Sequence, residues 1–417
     1  MAAGEGLLGG IGRALSHKAF FLLWWSNGIN TSGRWMFRTA LGWITWELTE
    51  SPWWLGALAF ADTIPMVLLS IVAGAWADRF GNLIVLRMSQ ALLVAVATLM
   101  SILALQDSLN LIYILFFAFW IGVADAITTP ARLAMVNHVV PRPDLSAAIA
   151  VNSATFNFSR FLGPALFGLF VQFLSVPTVM LLGAGMFSVF YIALFFLESD
   201  SKTREPGEKR RIIKDLQVGF AYATSHKGIL YLLILLGVTA LFMRPYIDLV
   251  PGVSDQLFQA GKEGLAILLS STGFGAMLAG VWLAHRGRTE GLTNIFTWSM
   301  LFSALFMLVF VLSSHIWVGA ALMICVGFTV VCGSITSQAL VQNAVDTNIR
   351  ARVIAITIVL AWGMPALGAA VMGWIAESFG LALTLGGGAV VTILCWFWAI
   401  ANKAKATPLL ESAEDKP

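Results

Sequence analysis

Apolar runs of about twenty residues, parted by short polar turns, recur from Phe20 to Ile400. A helix needs about that length to cross a hydrocarbon core, so the pattern predicts a polytopic membrane protein. The runs fall at 19–46, 54–77, 83–105, 109–131, 145–172, 175–197, 228–250, 263–284, 292–313, 316–340, 351–376 and 381–401, giving twelve transmembrane helices.

The loops test that count independently. Those after even-numbered spans hold Arg79 and Arg87; Arg132 and Arg142; Lys202, Arg204, Lys209, Arg210, Arg211 and Lys214; Arg286 and Arg288; and Arg350 and Arg352. Arg13 with Lys18, and Lys403 with Lys405, make both tails basic. The opposite loops carry Glu47, Glu50, Asp107, Asp255, Glu263 and Glu377, with Lys262 as the basic exception. The positive-inside rule therefore predicts that both termini are cytoplasmic. Composition agrees: a soluble domain with 59% hydrophobic and 11% charged residues would leave too much apolar surface in water.

Residues 1–18 lack a continuous apolar core and predict no cleavable signal peptide. Leu7, Leu8, Ile11 and Leu15 share a helical face beside Arg13 and Lys18, which fits either a short helix on the inner membrane surface or a frayed tail. The three cysteines lie inside predicted spans and read as small apolar residues, without a disulfide framework or zinc site. Residues 198–227 form the longest internal polar stretch. They predict a cytoplasmic linker between bundles at 19–197 and 228–401, followed by a tail at 402–417. The net charge of +3 follows largely from the cytoplasmic basic residues, which suit anionic lipid headgroups and give no sign of nucleic acid binding.

A repeat supports the division. AMVNHVV at 134–140 matches ALVQNAV at 339–345, 205 residues on, and Gly74 and Trp76 face Gly280 and Trp282 at a spacing of 206. Pro164-Ala165-Leu166 faces Pro365-Ala366-Leu367 at 201. Three matches in order imply duplicated six-helix halves with a polar cavity at the midplane, which is transporter architecture.

Gly74-Ala-Trp-Ala-Asp78-Arg79-Phe-Gly81, continuing to Arg87, closes span two and resembles the motif joining spans two and three in the major facilitator superfamily. The resemblance implies an all-α membrane protein with twelve transmembrane helices in two pseudo-symmetric six-helix bundles. It also implies that Asp78 is a gate aspartate, docking near Arg350 to Arg352 at the start of span eleven, where helix N–H groups favour an anion. Asn82 and Leu83 stand where the family's basic pair is usual, leaving Arg79 and Arg87 to supply positive charge. The stretch from Asp125 through Pro130, Arg132 and Pro141, with Asn152, Ser153 and Arg160 to Gly168, is similar to the bacterial exporter branch containing the enterobactin exporter and macrolide efflux proteins. Within it, Gly163-Pro164-Ala-Leu-Phe-Gly168 resembles the antiporter motif of span five, with ordinary small-residue packing as the rival reading. Related transporters also place an acid near Asp125 to complete the gate.

Charges inside the spans are costly and mark function by default. Asn27, Asn30, Arg34 and Arg38 form one stripe on helix one, read as cavity lining or as interhelical hydrogen bonding. Arg38 and Asp62 lie at similar depth and are placed to pair, which makes Asp62 the first proton-coupling candidate against the alternative of a static bridge. Arg244 and Asp248, four apart around Pro245, are the second pair. Asp125 reads as lying toward the cytoplasmic end of span four, at the level of Asp78. Arg160, with Ser153 and Asn157, sits at mid-depth as a contact for anionic cargo or as a structural arginine.

These readings predict a secondary active transporter that exports a small amphipathic organic molecule, siderophore-like or drug-like, by alternating access and proton antiport. It would act as a monomer in the bacterial cytoplasmic (inner) membrane, without cofactor or metal. No G-x-x-x-x-G-K-[ST] loop points to ATP as the direct energy source, and no nucleophile–base constellation points to an enzyme. Import, facilitated diffusion, lipid flipping and a non-transporting sensor of the same fold are the rivals.

Overall fold

The computed structural model describes residues 9–198, 212–345 and 347–411, which among them form helices and no strands. In chain order the helices are α1 (Gly9–Ser16), α2 (Lys18–Thr49), α3 (Pro52–Phe80), α4 (Asn82–Leu105), α5 (Leu111–Val139), α6 (Leu145–Phe170), α7 (Val176–Ala193), α8 (Ile212–Ser225), α9 (Lys227–Val238), α10 (Tyr246–Gln256), α11 (Gly261–Arg286), α12 (Leu292–Val311), α13 (Ile316–Ala344), α14 (Thr347–Phe379) and α15 (Leu381–Glu411). Among the described residues, ten spans are long and apolar enough to cross a membrane. The long helices α2 and α6 fall outside those ten; they carry Asn27, Asn30, Arg34 and Arg38, and Asn152, Asn157 and Arg160, whose polar groups lower their mean hydropathy. The chain is an integral multi-pass membrane protein.

Contacts divide the chain into two compact units, residues 1–48 with 61–207 and residues 49–60 with 208–417. Residues 49–60 group with the second because Gly56 rests on the Ala369 backbone, Gly373 on that of Pro52, and Glu377 accepts from Ser51 Oγ at 2.8 Å.

Within each unit, glycines let helices touch at the backbone. A Cβ on Gly122 of α5 would lie 2.1 Å from the Asp62 carbonyl oxygen of α3. In the second unit a Cβ on Gly327 of α13 would lie 2.1 Å from the Thr272 carbonyl oxygen of α11. Gly163 of α6 lies against Ser32, Trp35 and Met36, while Gly368 of α14 lies against Leu241 and Pro245. Gly122 and Gly327, like Gly163 and Gly368, stand 205 residues apart, so packing equates α6 with α14 one helical turn away from the 201-residue tripeptide match. The lead helices repeat as well: Gly10 of α1 meets Ala147, and Gly219 of α8 meets Arg352, again 205 residues beyond Ala147. The helix start expected beside Arg13 is thus a docked helix; Leu7 and Leu8 lie outside the described residues.

The span around Pro245 does more than kink. α9 passes into a π-helical turn, Thr239–Met243, and α10 begins after Pro245. Proline has no N–H to offer the Leu241 carbonyl and its ring crowds that oxygen, so the turn before it widens. At the other end of the unit, α15 continues past the expected tail boundary to Glu411. Its carboxylate accepts from the backbone N–H groups of Gly291 and Thr293 at 2.6 and 2.7 Å, capping the start of α12.

Candidate functional site

The site grows from α2 in the first unit. Gly33 seats α2 against α7 and Gly163 seats α6 against α2, while Gly122 draws α5 onto α3 beside Asp62. Asp125 follows Gly122 by three residues, on the same face of α5. Arg34 therefore reaches two carboxylates at once: Nη2 donates to Asp62 Oδ1 at 2.6 Å and Nε to Asp125 Oδ2 at 2.9 Å. Arg38, one turn on, brings Nη1 to 3.3 Å from Asp62 Oδ2. Two cations and two anions at mid-helix compensate one another where isolated charges would be expensive.

Access differs across the cluster. The Asp62 side chain is 8% exposed and that of Arg34 15%, whereas those of Arg38 and Asp125 are 31% and 32% exposed. Arg34 Nη1 is buried without a hydrogen-bond partner. Beside the quartet, the guanidinium carbons of Arg38 and Arg160 lie 5.9 and 5.3 Å from the Trp35 ring centroid, and Phe156 meets that ring edge-on.

The other sequence candidates separate from this cluster in informative ways. Asn27 and Asn30 are buried, and Asn30 accepts from Gln90 Nε2 of α4 at 2.7 Å, a bond between two helices. Asp125 sits at the middle of α5, fourteen residues from either end, and joins Arg34 there; the level near the helix end expected from the apolar run was wrong because α5 extends to Val139. Arg87 donates to the Leu194 and Leu197 carbonyls and lies over Phe195, closing the end of α7. Arg79 is exposed over Phe80, and Gly81 adopts φ 88°, a turn glycine permits between α3 and α4. The side chain of Asp78, with Gly74, lies outside the described side chains. Gly163 and Pro164 are buried and Gly168 half-buried; Asn157 Nδ2 donates to the Ser153 carbonyl on its own helix. In the second unit Arg244 Nη1 donates to the Ala361 carbonyl at 2.8 Å, and Asp248 is half-buried.

Sequence reasoning missed Gln90, which also donates to the Phe187 carbonyl, and Gly122. A glutamine within an apolar run was the available sign of the first; nothing in the sequence distinguished the second from other small residues. Outside the spans, Asp144 accepts from Arg13 Nε at 3.1 Å and pairs with His17 Nε2 at 3.0 Å. Those bonds, His17's first and then Arg13's, hold its carboxyl below the usual carboxylate range. Among the described residues no three His, Cys, Asp or Glu side chains converge to hold a metal.

Comparisons with known proteins agree with this architecture. The sequence model of the transmembrane secretion effector family matches residues 13–416. A staphyloferrin A transporter of Staphylococcus aureus is 25% identical over 383 residues, covering 89% of this chain and 94% of its own. An uncharacterized MFS-type transporter of Bacillus subtilis is 25% identical over 211 residues, half of this chain and 49% of its own. Among solved structures, a peptide transporter superposes with a TM-score of 0.77 at 12% identity, covering 96% of this chain and 99% of that one. A nucleoside transporter gives 0.73 at 13%, covering 92% and 99%. The chain belongs to the transmembrane secretion effector family of the major facilitator superfamily, and is a membrane transporter, not an enzyme.

Proposed function

We propose that this transporter exports a small amphipathic organic molecule from the cytoplasm across the bacterial inner membrane, by alternating access and in exchange for protons. The observation that carries the reading is Arg34 shared between Asp62 and Asp125, with Arg38 on Asp62. A proton on either aspartate removes one charge-assisted bond and leaves Arg34 overcompensating the other, so protonation changes how α2 is tied to α3 and α5. Sequence placed the coupling proton on Asp62 or Asp248. Geometry favours Asp125, which is reachable and held by one arginine, whereas Asp62 is sealed and held by two. Each proton moving inward releases about 2.3 kcal/mol per 100 mV, enough for useful accumulation. Both termini lie in the cytoplasm in this reading, and the relative that transports staphyloferrin A puts siderophore-like molecules among the first cargoes to test.

The experiment uses inverted membrane vesicles with an imposed proton gradient, following uptake of staphyloferrin A and a panel of drug-like amphiphiles alongside gradient collapse. Wild type is expected to accumulate at least one cargo at the expense of the gradient, with Asp125→Asn uncoupled and Asp248→Asn unaffected. Accumulation that persists in Asp125→Asn and Asp62→Asn, with unchanged proton flux, defeats the coupling reading.

A further inference from the structure

A buried amide on α4 lies at the level of the ionic cluster. We propose that Gln90 is the alternate acceptor for Arg34: when a proton takes Asp125 out of its bond, the guanidinium turns to Gln90 Oε1, directly or across one water, and α2 exchanges its tie to α5 for one to α4. Gln90 is then a positioning residue for the proton-exchange reading above, and the inference rests on that reading for the proton.

Two orphaned atoms carry it. Arg34 Nη1 is a buried donor without an acceptor, and Gln90 Oε1 is a buried acceptor without a donor. Each costs free energy until it is paired, so each favours a rearrangement that supplies a partner. The orientation of the Gln90 amide is fixed by the Phe187 carbonyl, which can only accept; it holds Nε2 at 3.2 Å and leaves Oε1 as the unengaged end.

Sequence position and packing put the two side chains on one level. Arg34 stands fifteen residues before the end of α2, Gln90 fifteen before the end of α4, and Asp125 fourteen after the start of α5. Successive spans run in opposite directions, so these ends share a membrane face and equal rise per residue gives about equal depth. Hydrogen bonds close a ring at that depth. Arg34 Nε to Asp125 joins α2 to α5; Thr128 Oγ1 to Ser89 Oγ, at 2.9 Å, joins α5 to α4; and Gln90 Nε2 to Asn30 Oδ1 joins α4 back to α2. Asn30, Ser89, Gln90 and Thr128 are all buried. A long side chain on a helix leans over the turn before its own Cα, and for Arg34 that turn carries Asn30.

The surrounding charges leave Gln90 as the neutral alternative. On α2, Arg38 meets Asp62 of α3; on α5, Arg132 stands two turns beyond Asp125; on α6, Arg160 lies over Trp35. Arg87 of α4 is turned to the carbonyls past α7, and α7 itself carries no Asp, Glu, Lys, Arg or His. With Asp125 neutral, Asp62 keeps Arg34 Nη2, and a bond from the released edge to Gln90 Oε1 stabilises the protonated state.

The test follows, against pH, the infrared carbonyl stretch of the protonated carboxyl that Asp125→Asn removes, in purified full-length protein without gradient or cargo. Gln90→Met keeps the bulk and removes the acceptor. It is expected to lower that midpoint by about one unit, the tenfold loss of proton affinity that one charge-assisted bond implies. Gln90→Asn, an amide on a shorter stem, is expected to lower it by less. An unchanged midpoint in a monodisperse Gln90→Met protein overturns the proposal, or in Gln90→Asn should the first variant not fold. A raised midpoint overturns it too, since that is what removing a polar neighbour does to a carboxylate by desolvation alone. Absence of any titrating band that Asp125→Asn removes defeats both the proposal and the coupling role of Asp125. A midpoint that responds to Gln90 in a protein whose vesicles exchange no protons for cargo would instead remove the export reading and leave this one standing.

Discussion

At Gly122, and at Gly327 205 residues later, a helix presses its backbone onto a neighbour's carbonyl: that of Asp62 in the first unit and that of Thr272 in the second. The notches match, yet only one carries a carboxylate. Three residues after each glycine stand Asp125 and Val330. The arginine of the first unit spans two acids, while Arg244 of the second reaches a backbone carbonyl. A duplicated scaffold has therefore kept its steric plan, which depends on small residues at a few crossings, while the side chains placed beside the matching crossing differ between the copies. Packing plan and charge placement are separable properties of this fold.

The sharpest way to break that comparison is to remove the hub. Arg34→Met leaves the buried Asp62 and the half-buried Asp125 without their shared cation, a loss of about 3–5 kcal/mol by analogy with other broken buried pairs. Arg244→Met removes a bond to a neutral carbonyl and is expected to lose about 1–3 kcal/mol. Denaturant unfolding in detergent compares the two, and equal losses would mean that sharing one arginine between two acids adds nothing to stability. Next in size are the notches themselves. Gly122→Ala and Gly327→Ala each force a methyl onto a backbone oxygen that no rotamer change can move, so both are expected to destabilise by about 1–3 kcal/mol. A large penalty at one and none at the other would show that the two scaffolds are not equivalent.

The scaffold was more legible in sequence than the chemistry, for a physical reason. Span length is a property of contiguous residues, so the long helices follow from the apolar runs. The pairing of Arg38 with Asp62 was also readable, because depth is proportional to residue count within a helix. The Arg34 hub was not, since its two partners depend on how closely α5 approaches α3, and that is decided by the missing side chain of Gly122. Asn30 and Arg87 show the same limit. Each bonds a neighbour that only packing brings near, Gln90 and the end of α7.

A smaller effect tests how each unit joins its third long helix to its sixth. In the first, Arg87 of α4 donates to the Leu194 and Leu197 carbonyls just past α7; in the second, Glu411 of α15 accepts from N–H groups at the start of α12. Both obey the helix dipole, one with a cation at a C-terminus and the other with an anion at an N-terminus. Arg87→Gln is expected to lose about 1–2 kcal/mol, including the cation–π contact with Phe195, and Glu411→Gln about 0.3–1 kcal/mol. Amide exchange at Thr293 against that at Leu197 reads each junction locally, and cross-effects between them would sink the idea of two independent clasps.

The smallest expected effect separates the two lead helices. Both rest a glycine near the start of a neighbouring helix, at Ala147 of α6 for α1 and at Arg352 of α14 for α8, but α1 is also tied by Arg13 and His17 to Asp144. The Asp144 carboxyl titrates below its ordinary value of about 4 when these bonds are made, so the tie is fully present above that value and is lost as pH falls through the lowered one. A spin label at Ile11, which is 41% exposed, is therefore expected to gain mobility only as the pH falls below about 4, while a label at Phe220 of α8 follows global unfolding alone. Asp144→Asn should free α1 at neutral pH and flatten its acid response. A label at Ile11 that stays immobile in that variant would assign the docking of α1 to the Gly10–Ala147 contact and would make the two lead helices equivalent after all.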